Sequence, residues 1–142
     1  MKRSHPRAFT LIELMMVVAI LSIIGSIAIP KFGNMINKAR ESSVRGSLGA
    51  LRSALSVYYS DKDGYFPPSG SLALALTAGP VYIKDIPMCR IPAPGDHGET
   101  NGITDFAGAY TDLGDWMYLS SSGTVTVNCT HPDSGGKIWS AN

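Results

Sequence analysis

Residues 9–29 read FTLIELMMVVAILSIIGSIAI, which is 21 residues with one charge, Glu13. As an α-helix this run would be about 31 Å long, matching the roughly 30 Å hydrocarbon core of a bilayer. The eight residues before it, MKRSHPRA, carry Lys2, Arg3 and Arg7. A short basic head ahead of an apolar run favours a cytoplasmic N-terminus. Lys31, Lys38, Arg40 and Arg45 follow the run, so charge alone leaves the orientation open. Three readings fit. Ser26 and Ala28 form a small-x-small pair, so an ordinary signal peptide could end at Ala28. The run could also be an uncleaved anchor, or a buried core helix. A signal peptide's apolar region is usually shorter, about 7–15 residues, and a core helix should show a polar face.

Glu13 separates these readings. A carboxylate in a lipid-facing helix costs on the order of a few kcal/mol at the centre and less near an end. Glu13 either snorkels to the headgroups, about one turn from Arg7, or meets a positive partner at membrane depth. An α-amino group newly made at Phe9 would be such a partner if the chain were cut after Ala8. The string RAFTLIEL, residues 7–14, resembles the processing site of type IV prepilins and type II secretion pseudopilins. The resemblance implies a leader of residues 1–8, removed by prepilin peptidase between Ala8 and Phe9. It implies N-methylation of Phe9, and Glu13 as the carboxylate that pairs with a neighbouring subunit's amino terminus during assembly. Pro30 falls where the family commonly has a helix-interrupting proline. Ala8 stands where the family usually has glycine, and alanine is small enough for processing to be expected. The specific match covers about residues 7–32 only.

Residues 9–30 are thus expected to form a transmembrane and assembly helix. Gly25 and Pro30 loosen it, Pro30 by lacking an N–H and clashing with the preceding turn. A kink is expected there, and the resemblance implies that this stretch can melt on filament packing. Residues 31–63 continue the helix as an amphipathic segment. Phe32, Met35, Ile36, Ala39, Leu48, Leu51, Ala54, Leu55, Tyr58 and Tyr59 recur at steps near three and four. Lys31, Lys38, Arg40, Glu41, Arg45 and Arg52 fall largely between them. Residues 32–39 are expected to pack on other subunits' helices, and the later turns on a sheet. Asp61-Lys62-Asp63-Gly64 supplies a stop, with Gly64 as a left-handed cap.

Residues 64–142 read as a loop-rich globular head. Prolines and glycines crowd residues 65–115. A short helix or turn is expected over 71–78 and a short strand over 81–83. Residues 116–119, WMYL, read as a buried strand, and residues 124–129, TVTVNC, alternate as a half-buried one. Residues 120–123 would turn between them, and residues 137–140 would add a third strand. The fold class is therefore α+β: a long N-terminal helix on a small antiparallel C-terminal sheet, a pilin-like lollipop. Val125, Val127, Trp116, Tyr118 and Trp139 should be buried.

Cys89 and Cys129 are an even pair in a segment expected outside the cytoplasm, which suggests a disulfide. Closing that loop would contribute roughly 4 kcal/mol by chain entropy. His5, His97 and His131 show no zinc spacing with the two cysteines, so no metal is expected. Asp105, Asp112 and Asp115 lie in a Gly-containing loop. Related major pseudopilins bind calcium in a C-terminal loop, so the resemblance leaves calcium on these aspartates as an alternative to solvated loop charges. Their spacing is not an EF-hand. Asn128-Cys129-Thr130 fits a glycosylation sequon that chance readily supplies. No nucleophile elbow, phosphate loop or catalytic carboxylate pair is present, and a net charge of +1 gives no reason to expect nucleic acid.

The expected function is that of a structural subunit of a type IV pilus or pilus-like filament, not an enzyme, and without a cofactor. The resemblance implies a single pass through the bacterial inner membrane with the head outside, lipid as the partner before assembly, and an inner-membrane assembly platform. The filament would be extracellular or periplasmic, built with copies of the chain and related minor pilins. A type II secretion pseudopilin is the alternative within this class. A secreted binding protein with a signal peptide ending at Ala28, or a static anchored domain that keeps residues 1–8, lies outside it. The FTLIEL setting of Glu13 argues against both.

Overall fold

A computed structural model describes residues 9–79, 82–92 and 97–141. The leader, residues 1–8, and Val81 of the expected strand lie outside the described residues. The chain divides into two units, Met1–Ile36 and Asn37–Asn142. Helix α1, Leu11–Asp61, runs through both sequence ranges and contains Pro30. Its assignment is unbroken across Gly25 and Pro30.

In the first unit every large apolar side chain of α1 is exposed, from Leu11 and Ile12 through Ile29, Phe32 and Ile36. An aqueous globule does not tolerate such a patch, so this surface is one that lipid or protein must cover. In the second unit the same helix buries Glu41, Val44, Leu48, Leu51, Ala54 and Leu55. The steps of three and four place them on one face. Full burial of a leucine such as Leu51 contributes about 1.5–3 kcal/mol. The helix stops as the sequence predicts: Asp63 and Gly64 take positive φ (52° and 85°), and the Gly64 N–H donates to Tyr59 O at 2.9 Å.

Helix α2, Leu72–Thr77, buries Leu72 and Leu76. The N–H groups of Tyr82 and Ile83 donate to Leu76 O (3.1 and 3.2 Å), so this pair closes the C-terminus of α2 and makes no strand. Strand β2, Trp116–Leu119, pairs antiparallel with β3, Thr124–Val127. This is the hairpin expected from WMYL and TVTV. The third strand differs from expectation. It is β1, Ile103–Asp105, and it runs parallel to β2 with Ile103 opposite Trp116, giving a mixed sheet in the order β1-β2-β3. Residues 137–140 form no ladder. Pro132 and Ile138 make a single bridge and Trp139–Ala141 a 3-10 turn, which drops Trp139 into the core.

Trp116, Tyr118, Val125, Val127 and Trp139 are all buried with Leu48, Leu51 and Leu55 in one core. The polar tips of the aromatic residues hold the irregular segments down. Trp116 Nε1 donates to Pro87 O at 2.8 Å, and the Tyr118 hydroxyl donates to Pro67 O at 2.7 Å. On edge strand β3, Val125 O accepts from both Nε and the guanidinium tip of Arg52 (3.0 and 2.8 Å). A carbonyl outside the ladder is thereby satisfied by helix α1.

Candidate functional site

The first candidate is the start of α1. Thr10 is the residue before the helix, and Glu13 lies in its first turn. The Thr10 backbone N–H donates to Glu13 Oε2 at 2.9 Å, and the Thr10 hydroxyl donates to the same oxygen at 2.8 Å. In return the Glu13 N–H donates to Thr10 Oγ1 at 3.3 Å. This reciprocal pair is a capping box, which satisfies helix N–H groups that have no carbonyl partner. Phe9 stands exposed beside it. The two serines of the apolar run turn their hydroxyls inward: Ser22 donates to Val18 O and Ser26 to Ile23 O, each at 2.7 Å. Hydroxyls satisfied within the helix leave no polar demand on a surrounding apolar medium. Among the described residues α1 is the one helix long and apolar enough to cross a membrane, and no part of its apolar window is buried.

Other anticipated residues are placed as follows. Ala8 lies outside the described residues. Among the described residues outside its own turn of helix, nothing approaches within 4 Å of a Cβ built on Gly25. Cys89 and Cys129 are both fully buried in the core and both are free thiols, so the expected disulfide is not formed in this structure. Burial, with Asp115 and Cys129 nearby, pushes the Cys89 thiol up to about 12. Burial also raises Cys129, against a hydrogen bond from the His131 backbone N–H that favours its thiolate.

The three aspartates take separate partners. Asp115 accepts from Asn128 Nδ2 (2.7 Å) and the Thr104 hydroxyl (2.5 Å). Asp112, at positive φ, accepts from the Thr130 N–H (2.5 Å) and hydroxyl. Asp105 keeps one buried carboxylate oxygen without a partner among the described residues. No group of metal-ligand atoms converges on these aspartates among the described residues. The group that does converge is His97, Cys129 and His131. Cys129 and His131 stand two residues apart just beyond β3, and their ligand atoms meet at one point. His97, from a distant loop, left no signal in the sequence, and His5 lies outside the described residues. Asn128 of the sequon is fully buried, so its amide is not offered to a modifying enzyme.

Comparison with known proteins places the same weight on the N-terminus. Residues 3–29 match the prokaryotic N-terminal methylation motif. Along most of its length the chain is 28% identical to the type II secretion system core protein G of Klebsiella michiganensis, over 137 residues covering 82% of this chain and 96% of the relative. It is 40% identical over 76 residues to the type IV major pilin protein PilA of Myxococcus xanthus, covering 54% of this chain and 34% of that one. It is 31% identical over 86 residues to the fimbrial protein EcpC of Eikenella corrodens, covering 61% and 56%. No solved structure matches the chain. The long N-terminal helix on a small mixed sheet, headed by a methylation motif, defines a pilin-like chain. Its relatives are structural pilins and a pseudopilin, and none is an enzyme by name.

Proposed function

We propose that the chain is a structural subunit of a type IV pilus or pilus-like filament. The observation that carries this is the FTLIEL start of an apolar helix whose every side is exposed, with one carboxylate, Glu13, at its head. Prepilin peptidase removes residues 1–8 between Ala8 and Phe9, and Phe9 is N-methylated. The subunit waits in the bacterial inner membrane with residues 37–142 outside the cytoplasm. An assembly platform withdraws it, Glu13 meets the amino terminus of a neighbour, and the apolar helices pack as the filament core. Gly25 and Pro30 are the positions where α1 gives way during that packing. No residue is assigned a catalytic role.

A second reading, a type II secretion pseudopilin, is favoured by one observation. The similarity to the core protein G covers 82% of the chain, whereas the matches to the pilin and the fimbrial protein cover only 54% and 61% of it.

The test of the common reading is the intact mass and N-terminus of the protein from a host with prepilin peptidase. A chain beginning at N-methylated Phe9 supports it. A chain beginning at Ile29, or an uncut Met1, overturns it. Deletion in the source bacterium then separates the two filaments: loss of surface pili identifies the first, and loss of protein secretion with pili intact identifies the second.

A further inference from the structure

Two histidines and a cysteine that the filament reading does not use meet at one point. His97 Nε2 lies 3.2 Å from His131 Nδ1, and Cys129 Sγ lies 3.5 Å from each of these nitrogens. With Zn–N near 2.0–2.1 Å and Zn–S near 2.3 Å, a tetrahedral ion requires N···N edges of about 3.3 Å and N···S edges of about 3.5–3.6 Å. The three observed edges form that triangle. Protons account for it poorly. Each ring nitrogen has one in-plane lobe, which either donates or accepts a single hydrogen bond. Three mutual contacts therefore cannot all be hydrogen bonds of good geometry, whereas one cation at the apex takes all three lone pairs.

The surroundings hold this triangle in place. A Cβ added at Gly114, whose φ is +74°, would lie 2.8 Å from His97 Cβ and 3.1 Å from its Cγ, so the His97 side chain rests directly on bare backbone. Asp112 Oδ1 lies 4.0 Å from His131 Nδ1, held by Thr130. The cysteine is fully buried and the histidines are half-buried, so the group opens to solvent on its imidazole side.

We propose that His97, Cys129 and His131 bind one zinc ion, with a water in the fourth position and the Asp112 carboxylate beside it. On binding, the Cys129 S–H bond breaks, the sulfur lone pair goes to zinc, and the proton leaves to solvent. The thiolate and Asp112 then balance the two charges of the ion. An N₂S donor set at tetrahedral edges selects zinc over calcium or magnesium, which take oxygen ligands. The ion ties the loop at His97 to the end of β3, linking an irregular segment to the sheet of a small unit. A zinc thiolate and a Cys89–Cys129 disulfide are exclusive uses of one sulfur.

The test uses the full chain in detergent, without a histidine tag, first extracted with its thiols blocked for intact mass. A sample is then stripped of metal under reductant and titrated with Co²⁺ followed by Zn²⁺. The expected result is one Co²⁺ per chain with a thiolate-to-cobalt charge-transfer band and tetrahedral visible bands, all displaced by one equivalent of Zn²⁺. Cys129→Ser abolishes the charge-transfer band, and Cys89→Ser keeps it. His97→Ala and His131→Ala each weaken zinc binding by at least about tenfold. His131→Asn, at a half-exposed position, serves as a second variant. The near-ultraviolet dichroism of Trp116 and Trp139 reports that each variant is folded. A weak octahedral cobalt spectrum, binding unchanged in the histidine variants, or a Cys89–Cys129 bridge in the extracted chain would each overturn the proposal.

Discussion

Thr10 and Glu13 hold each other at the head of α1 through three hydrogen bonds of 2.8–3.3 Å, two of them to the single oxygen Oε2. The carboxylate that the filament reading needs as a charge is thus also a helix cap, and the two roles have different chemical requirements. A cap needs an acceptor oxygen, which glutamine supplies as well as glutamate. A partner for an amino terminus needs the negative charge. Glu13→Gln is expected to leave the helix and the cut before Phe9 intact but to reduce filament yield sharply. Thr10→Ala weakens the cap by about 1 kcal/mol and keeps the charge, so its filaments should form. Sheared-filament yield beside the N-terminal sequence of the membrane pool reads both. Equal yields from Glu13→Gln and the parent chain would leave Glu13 as a cap only.

Gly123 closes the β2–β3 hairpin at φ +64°, and a Cβ there would meet the Phe66 ring at 2.1–2.4 Å. Phe66 in turn stacks on Tyr59, with ring centroids 4.3 Å apart. Gly123→Ala therefore carries two penalties, a left-handed backbone with a side chain and a displaced aromatic pair. A loss of about 2–4 kcal/mol is expected. Gly79 is the control. Its φ is +80° but nothing among the described residues lies within 4 Å, so Gly79→Ala should cost only the backbone part, about 1 kcal/mol. Urea unfolding of the two variants measures the difference, and equal midpoints would show that Phe66 yields without cost.

The residues that made α1, the hairpin and the stop at Gly64 legible act through local rules: apolar spacing, alternation and positive φ. What stayed hidden depends on partners distant in sequence. Strand β1 is three residues long with no pattern of its own, and its parallel place beside β2 is fixed by tertiary contacts. Glu41 and Arg45 read as a solvent face, yet Glu41 is buried. Its carboxylate accepts the Ser134 N–H at 2.8 Å and hydroxyl at 2.7 Å from a loop 93 residues away. Arg45 reaches Asp133 in the same loop and lies over the Trp139 ring. The capping box differs: its T-x-x-E spacing at residues 10–13 is local, but it lies at the head of an apolar run in which a carboxylate also has a meaning at membrane depth.

That docked loop makes stability depend on acid. Asp133 accepts the N–H groups of Lys137 and Gly135, each at 2.8 Å, and pairs with Arg45. The Lys137 bond foremost, then those from Gly135 and Arg45, holds its carboxyl below the usual aspartate range. A group depressed in the folded state stabilises the fold above its unfolded pKa, about 3.9, and that contribution is lost as pH falls through the folded value. Asp112, held low mainly by the Thr130 N–H, acts in the same direction. The melting temperature of the detergent-solubilised chain should fall from about pH 4 downward. Asp133→Asn should melt lower at pH 6 and show a shallower fall. A parallel acid slope in the variant would assign the transition to other carboxylates.

Asn128 sits fully buried between two polar neighbours. Its Oδ1 accepts the Thr111 N–H at 2.8 Å, and its Nδ2 donates to Thr111 Oγ1 and to Asp115 Oδ1, both at 2.7 Å. The amide is needed because it both donates and accepts, and no aliphatic side chain of that volume does either. Asn128→Ala strands the Asp115 oxygen and the Thr111 N–H together, and a loss of about 2–4 kcal/mol follows from leaving such groups unpaired. Asn128→Asp keeps the shape and the bond from the Thr111 N–H, but it turns a donor toward Asp115 into a second carboxylate. At neutral pH two close carboxylates repel, so this nearly isosteric change should be the more damaging of the two. Urea midpoints of Asn128→Asp and Asn128→Ala measured at pH 7 give the ranking. If Asn128→Asp is the milder variant at pH 7, then a cation or solvent reaches the pair, and the network is not the closed one its hydrogen bonds describe.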